Sequence, residues 1–245
     1  MVRSTACLYG LIVYLIFLVT FLYTIGFLGN ILVPKSIDSG TPGPITASIL
    51  VNLALLSLFA LQHSIMARPA FKPVWTRMIP KVAERSTYVQ ATCVALILIF
   101  LFWQPIPNLI WNFESSITGV TLNSLFWGGW LVVLSSTFMI DQLGLFGLKQ
   151  VFAHLKKRQA VHPNFVKTDL YRLVRHPIMT GFLIVFWTAP SMSVSHLLFT
   201  LVTTGYIMIA VLQLEEKDLI VSFGDDYLTY QSEVPAFVPG LRRGR

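Results

Sequence analysis

Long apolar runs separated by short polar segments set the rhythm of this chain. Near residues 8–32, 45–66, 87–104, 122–143 and 194–214 the runs reach or approach the roughly 20 residues that cross a hydrocarbon core. A further run near 178–190 spans about 20 Å as a helix, too short for an independent crossing, and is expected to pair with the last run as a hairpin. The pattern predicts an all-α integral membrane fold with about six membrane helices, five spans with a final helical hairpin, in a single domain over 1–245.

Composition agrees, because 55% hydrophobic and 12% charged residues in a chain of 245 exceed what a soluble domain of this size hides. The formal charge of +7 is then read as topology. Arg3, the five cations Arg68, Lys72, Arg77, Lys81 and Arg85, seven more from Lys149 to Arg175, and Lys217, Arg242, Arg243 and Arg245 all fall on one side of six membrane helices. Lys35 alone falls on the other. The positive-inside rule places both termini in the cytoplasm. These cations are spread over separate loops, which excludes a nucleic-acid surface. Cys7 and Cys93 lie in apolar runs without metal-ligand spacing, so neither a disulfide nor a metal site is expected.

Polar residues gather around the last hairpin. Arg175, His176 and Pro177 precede it, and Glu215-Glu216 and the segment Phe223–Pro235 follow it. Each has an ordinary reading. Arg175-His176-Pro177 alone is a common juxtamembrane pattern, the paired glutamates can begin a solvated helix, and Tyr227 and Tyr230 can anchor at an interface. Glu215 and Glu216 are adjacent and do not share a helix face, so at most one is expected to reach a ligand directly. Charges beside bilayer-length apolar segments are costly, and their joint occurrence at one end of a hairpin marks a site.

The spacing resembles the isoprenylcysteine carboxyl methyltransferase-like superfamily, with its NnrU-like branch. The residues that carry it are Thr168, Tyr171, Val174, Arg175, His176 and Pro177, then Glu215, Glu216, Leu219, Phe223, Gly224, Tyr227, Tyr230, Val234 and Pro235. Asp169 stands where glycine is usual and Met179 where tyrosine is usual. Upstream, Phe59–Arg77, Glu84–Val89 and Arg175–Leu183 are similar to the methanethiol S-methyltransferase branch. The resemblance implies S-adenosylmethionine as methyl donor, a small volatile thiol as acceptor, no metal, and a bacterial inner membrane. It implies a cytosolic cofactor pocket formed by loop and C-terminal tail, within residues 165–240.

On that reading Glu215 or Glu216 takes the cofactor's ammonium. The helix start after Pro177, with Arg175 or His176, takes its carboxylate, and Tyr171, Tyr227 and Tyr230 supply aromatic contacts. Arg175, His176 and His63 are the candidate catalytic residues, by favouring the thiolate or lining the acceptor pocket. His63 can equally be a hydrogen-bonded core histidine. Two other functions stay open: a methyltransferase for a lipid-like or prenylated acceptor, and a haem-binding NnrU-like isomerase or sensor using His63. A helix count from the hairpin tip sets Pro177 level with Tyr206 rather than Glu215, so the loop from Phe165 to Arg175 is expected to climb beside the last helix.

Overall fold

The computed structural model describes residues 2–158 and 169–241. Phe165, Lys167, Thr168, Arg242, Arg243 and Arg245 lie outside the described residues. In chain order come α1 (Arg3–Gly29), α2 (Ile45–Ala67), a short α3 (Lys72–Trp75), a 3₁₀ turn (Lys81–Ala83) and α4 (Glu84–Phe102). Strand β1 (Leu109–Asn112) leads to α5 (Ile117–Ile140), α6 (Gln142–Leu145), α7 (Leu148–Leu155) and α8 (Leu170–Leu173). Then follow α9 (Pro177–Trp187), β2 (Ser191–Ser193) and α10 (Val194–Ile209). A π-helical turn (Ala210–Glu215), α11 (Glu216–Phe223) and α12 (Asp225–Glu233) finish the described chain.

Among the described residues five helical stretches are long and apolar enough to cross a membrane: Arg3–Gly29, Ile45–Ala67, Lys81–Phe102, Ile117–Ile140 and Val194–Phe223. Pro177–Trp187 is a shorter apolar helix. Leu15, Leu22, Leu101 and Leu131 are exposed on these helices, a surface suited to hydrocarbon. The protein is an all-α, multi-pass membrane protein, as the hydrophobic pattern predicts.

The chain divides into two compact units. The first comprises Met1–Asn108, Asp141–His162 and Ser193–Val202. Its core joins Val13, Tyr88, Val89 and Cys93, with Phe17 stacked on Phe146 at 3.8 Å between ring centroids. Two polar groups inside it, Asn52 and Asp38, are paired with residues of other segments, as hydrocarbon offers no water to satisfy them. The amide of Asn52, fully buried, donates to the Gln104 carbonyl (2.8 Å) and accepts from the Gln104 N–H (2.9 Å), tying α2 to the end of α4. Ser193 and Ser195 both donate to the Asp38 carboxylate. Cys7 and Cys93 are buried free thiols.

The second unit comprises Leu109–Ile140, Pro163–Met192 and Thr203–Arg245. Here α5 and α9 run in close contact because glycines face each other. A Cβ on Gly129 would lie 2.9 Å from the Gly181 carbonyl oxygen, and one on Gly181 would lie 2.8 Å from that of Gly129. Small residues at a membrane-helix contact let backbones approach this closely. That contact holds α9, and with it the start of the candidate site.

Three details differ from the pattern-based expectation. α1 begins at Arg3, five residues earlier, because the polar residues before the apolar run still propagate the helix. Leu109–Asn112 and Ser191–Ser193 form a two-stranded ribbon, too short to show as an alternating pattern. The last long helix does not stop near 214 but continues through the π turn to Phe223.

Candidate active site

Two short stretches that are far apart in sequence meet in the second unit. The backbone N–H groups of Arg175 and His176 donate to the carbonyls of Pro235 (2.8 Å) and Ala236 (3.1 Å). The loop before α9 and the tail after α12 are therefore joined like a rung of sheet. Thr180, one turn into α9, adds a bond from its hydroxyl to the Phe237 carbonyl (2.9 Å).

The side chains then converge on Glu216. Its Oε1 accepts from Arg175 Nε (2.8 Å) and Nη2 (2.6 Å) and sits 3.1 Å from His176 Nε2. Its Oε2 accepts from Gln231 Nε2 (2.8 Å). The other Nη of Arg175 donates to the carbonyls of Gln231 (3.1 Å) and Val234. Arg175, His176 and Glu216 are all buried, and each is held from more than one element. Charge-assisted bonds of this kind are the strong ones, and here they lock α9, α11 and α12 to one point.

Glu215 differs from its neighbour. Its side chain is 44% exposed, and its Oε1 lies 3.9 Å from His176 Nδ1, beyond a hydrogen bond. His176 thus stands between two adjacent glutamates, bonded to one and facing the other. Its ring also packs against Phe237, 5.8 Å between centroids.

The tyrosines divide in the same way. Tyr227 and Tyr230 are buried in the core of the tail, edge to face at 5.9 Å, with Val234 and the side chains of Leu219, Ile220 and Phe223 around them. The Tyr230 hydroxyl donates to the Tyr171 carbonyl, which fixes α8. The Tyr171 hydroxyl is buried and has no hydrogen-bond partner among the described residues. Burial, with the charge of Glu215 and the neighbouring Tyr230, raises the Tyr171 phenol above its ordinary value. Burial does the same for Tyr227, reinforced by Glu216, and lifts Tyr230 to about 12 against the opposing pull of Arg175. All three phenols are neutral at physiological pH.

How α9 comes level with Glu216 is a matter of chain geometry. The helical count from the tip left Glu215 roughly 13 Å too far along. But α9 ends at Trp187, and the chain from there to Ser193 is not helical, with Ser191–Ser193 a strand. Extended residues advance roughly 3.3 Å each instead of 1.5 Å, so a helical count does not hold across the tip. The π turn Ala210–Glu215 sits directly before Glu216. Such single-turn insertions recur at functional sites.

Sequence reasoning missed Gln231, Phe237 and the carbonyls of Pro235 and Ala236. Gln231 follows Tyr230 and lies between the aromatic and Val-Pro landmarks, but no periodicity singles it out. His63 falls in the first unit. Its ring contacts the Tyr88 hydroxyl (2.8 Å to Nε2) and Thr92 Oγ1 (3.2 Å to Nδ1), and it stacks on Phe59. Both ring nitrogens are engaged. Among the described residues no group of three or more His, Cys, Asp or Glu side chains is placed to hold a metal ion.

No family model matches the chain, and no solved structure matches it. Curated relatives do. Methanethiol S-methyltransferase 2 of Bradyrhizobium diazoefficiens is 48% identical over 239 residues, 98% of this chain and 92% of the relative. The chain belongs to the methanethiol S-methyltransferase family. The methanethiol S-methyltransferase of Mycobacterium tuberculosis is 46% identical over 243 residues, 99% of both chains. Nurim of Rattus norvegicus is more distant, at 34% identity over 185 residues, 71% of this chain and 69% of that protein. The family alignment therefore covers both units, including the Arg175–Glu216 lock.

Proposed function

We infer that the chain, acting as one methyltransferase domain, moves the methyl group of S-adenosylmethionine to methanethiol, giving dimethyl sulfide and S-adenosylhomocysteine. The observation that carries the site is a half-exposed Glu215 near a buried Tyr171 hydroxyl that has no hydrogen-bond partner among the described residues, with the Arg175–Glu216 lock beside Glu215. The near-full-length relatives named for this reaction support the substrate. The distribution of cations supports a site at the cytoplasmic face, and bacterial relatives support a bacterial inner membrane.

The residues present fit such a donor. Glu215 has carboxylate oxygens without a close partner and suits an ammonium, whereas both Glu216 oxygens are already occupied. Pro177 occupies the first position of α9, so the N–H groups of Ile178 and Met179 face outward without intrahelical acceptors and suit a carboxylate. The orphan Tyr171 hydroxyl supplies one further hydrogen bond. Tyr227 and Tyr230 support the tail that carries these groups, and Arg175 positions Glu216.

When bound, S-adenosylmethionine supplies a methyl group on a sulfonium sulfur. A thiolate sulfur forms the new carbon–sulfur bond as the sulfonium carbon–sulfur bond breaks, and the thiol proton must leave. His176 is placed to take it. The Glu216 carboxylate holds the proton on Nε2, which leaves Nδ1 as the acceptor facing Glu215. Burial of this group keeps competing water away from the reacting sulfur.

Membranes carrying the protein, given S-adenosylmethionine and methanethiol, are expected to release dimethyl sulfide into the headspace, and Glu215→Ala to abolish it. A folded protein that binds the donor but yields no dimethyl sulfide would point to a larger thiol or a lipid-like acceptor.

A further inference from the structure

Glu216 is loaded unevenly. Among the described residues its Oε1 meets Arg175 Nε (2.8 Å), Arg175 Nη2 (2.6 Å) and His176 Nε2 (3.1 Å), while its Oε2 meets Gln231 Nε2 alone (2.8 Å). An arginine edge commonly pairs with a carboxylate two on two, one N–H to each oxygen. Here both N–H groups of the Arg175 edge turn to the same oxygen. The carboxylate reaches the common arrangement by turning about its last side-chain bond, a torsion with broad wells and little cost. That turn brings Oε2 to Arg175 and carries Oε1 away from His176.

Gln231 opposes the turn. Its side-chain amide holds Oε2, and its backbone carbonyl accepts from Arg175 Nη1 at 3.1 Å, so one residue grips both partners of the ion pair. The Val234 carbonyl also accepts from Nη1, which pins the guanidinium in place. Glu216 is 3% exposed, so water is no substitute donor at Oε2. The backbone under Gln231 is itself anchored, because Tyr230 is buried in the tail core and bonded to the Tyr171 carbonyl.

His176 needs this direction. Glu215 Oε1 lies 3.9 Å from Nδ1 and would draw the ring proton to that nitrogen once Glu216 Oε1 swung away. We propose that Gln231 is the positioning residue of this histidine: it keeps Glu216 Oε1 on Nε2 and so keeps Nδ1 available for the thiol's proton. The inference rests on the methyl-transfer reading, in which His176 takes that proton. Gln231 acts through an oriented carboxylate, as the buried acid of a catalytic triad holds its histidine in one tautomer. Arg175 supplies charge, and Gln231 supplies direction.

Gln231→Met keeps length and bulk and deletes the donor. Full-length protein in lipid nanodiscs, with histidine labelled at its ring nitrogens, reads the outcome by magnetic resonance. The His176 signal is the one that disappears in His176→Gln. Wild type should show one tautomer, protonated on Nε2, and Gln231→Met a mixture of the two. A well-placed base contributes roughly 10²- to 10⁴-fold, so kcat for dimethyl sulfide should fall about tenfold or more, with KM for S-adenosylmethionine within about twofold. Gln231→Asn, one methylene too short to reach Oε2, should move both readouts the same way and serves where Gln231→Met does not fold. An unchanged tautomer in the variants would overturn the proposal, whatever the rate. So would a raised KM with unchanged kcat, which would place Gln231 in donor binding. Wild-type protein that makes no dimethyl sulfide would contradict the methyl-transfer reading, while the tautomer still decides the role of Gln231.

Discussion

Arg175 and Glu216, forty-one residues apart, form a buried ion pair in which Nε and Nη2 both donate to one carboxylate oxygen, at 2.8 and 2.6 Å. Its neighbours complete the valences: Gln231 takes the second oxygen, and backbone carbonyls of the tail take the remaining Arg175 donors. Two adjacent glutamates therefore have separate duties, one inward and structural, one outward and available.

Breaking this pair from one side leaves an uncompensated buried charge. Glu216→Ala is expected to cost about 3–5 kcal/mol of stability, whereas Glu215→Ala should stay within about 0.5 kcal/mol. Replacing both partners, as Arg175→Met with Glu216→Leu, should recover much of the loss. Denaturant unfolding in detergent measures all three. Equal losses for Glu215→Ala and Glu216→Ala would show that the division of roles is mistaken.

On the proposed reading Glu215 meets the donor's ammonium, and Glu215→Gln removes that charge while keeping size and polarity. A charge-assisted hydrogen bond is worth about 1.5–3 kcal/mol, so the dissociation constant for S-adenosylmethionine should rise about 10- to 150-fold. Calorimetric titration of folded protein reads it directly, and an unchanged constant would remove Glu215 from the site.

Tyr171→Phe deletes a hydroxyl that has no hydrogen-bond partner among the described residues. Stability should hold or rise slightly, since nothing is left unpaired. Donor binding should weaken by roughly 0.5–1.5 kcal/mol, about 2- to 13-fold. A clear loss of stability with unchanged binding would assign the hydroxyl a structural role instead.

Alkaline pH probes the tyrosine cluster. Tyr171, Tyr227 and Tyr230 all have phenols raised in the folded protein, Tyr230 to about 12. The folded state then holds protons that the unfolded state releases near pH 10, so this stability is fully present below pH 10. It is lost as pH rises from 10 through 12. Phenolate absorbance should show a class of tyrosines titrating late, followed by unfolding, and Tyr230→Phe should reduce that class. Complete titration at pH 10 in the folded protein would contradict the buried cluster.

Gly224 joins α11 to α12 at φ 57° and ψ −132°, a backbone conformation that side-chain-bearing residues avoid. No heavy atom lies within 4 Å of where a Cβ would stand, so the cost of Gly224→Ala is purely conformational, about 1–3 kcal/mol. Thermal unfolding should reveal that loss, together with weaker docking of the tail.

Much of the fold was legible because hydrocarbon imposes a simple rule. Apolar runs long enough to cross it became the five long helices, and the short run before the tip became α9. The polar landmarks around the last hairpin were also legible, since charges beside such runs are expensive. What the pattern did not carry was how those landmarks divide their work. Glu215 and Glu216 are equivalent as letters, and only the tertiary contacts of Glu216 with Arg175, His176 and Gln231 distinguish them. The helical count from the tip took no account of Ser191–Ser193, which is extended. Gln231 and the carbonyls of Pro235 and Ala236 act through tertiary contact, which leaves no periodic trace. Tyr227 and Tyr230 share a helix face, as expected, but that face turns into the tail's own core.

The most direct measurement follows the methyl group itself. Purified protein in lipid nanodiscs would receive S-adenosylmethionine with a deuterated methyl and unlabelled methanethiol, with headspace and solution products measured together. Direct transfer predicts dimethyl sulfide carrying one deuterated methyl, formed one-for-one with S-adenosylhomocysteine, and absent with Glu215→Ala. Consumption of the donor without labelled dimethyl sulfide, by folded wild-type protein, would contradict methanethiol as the acceptor.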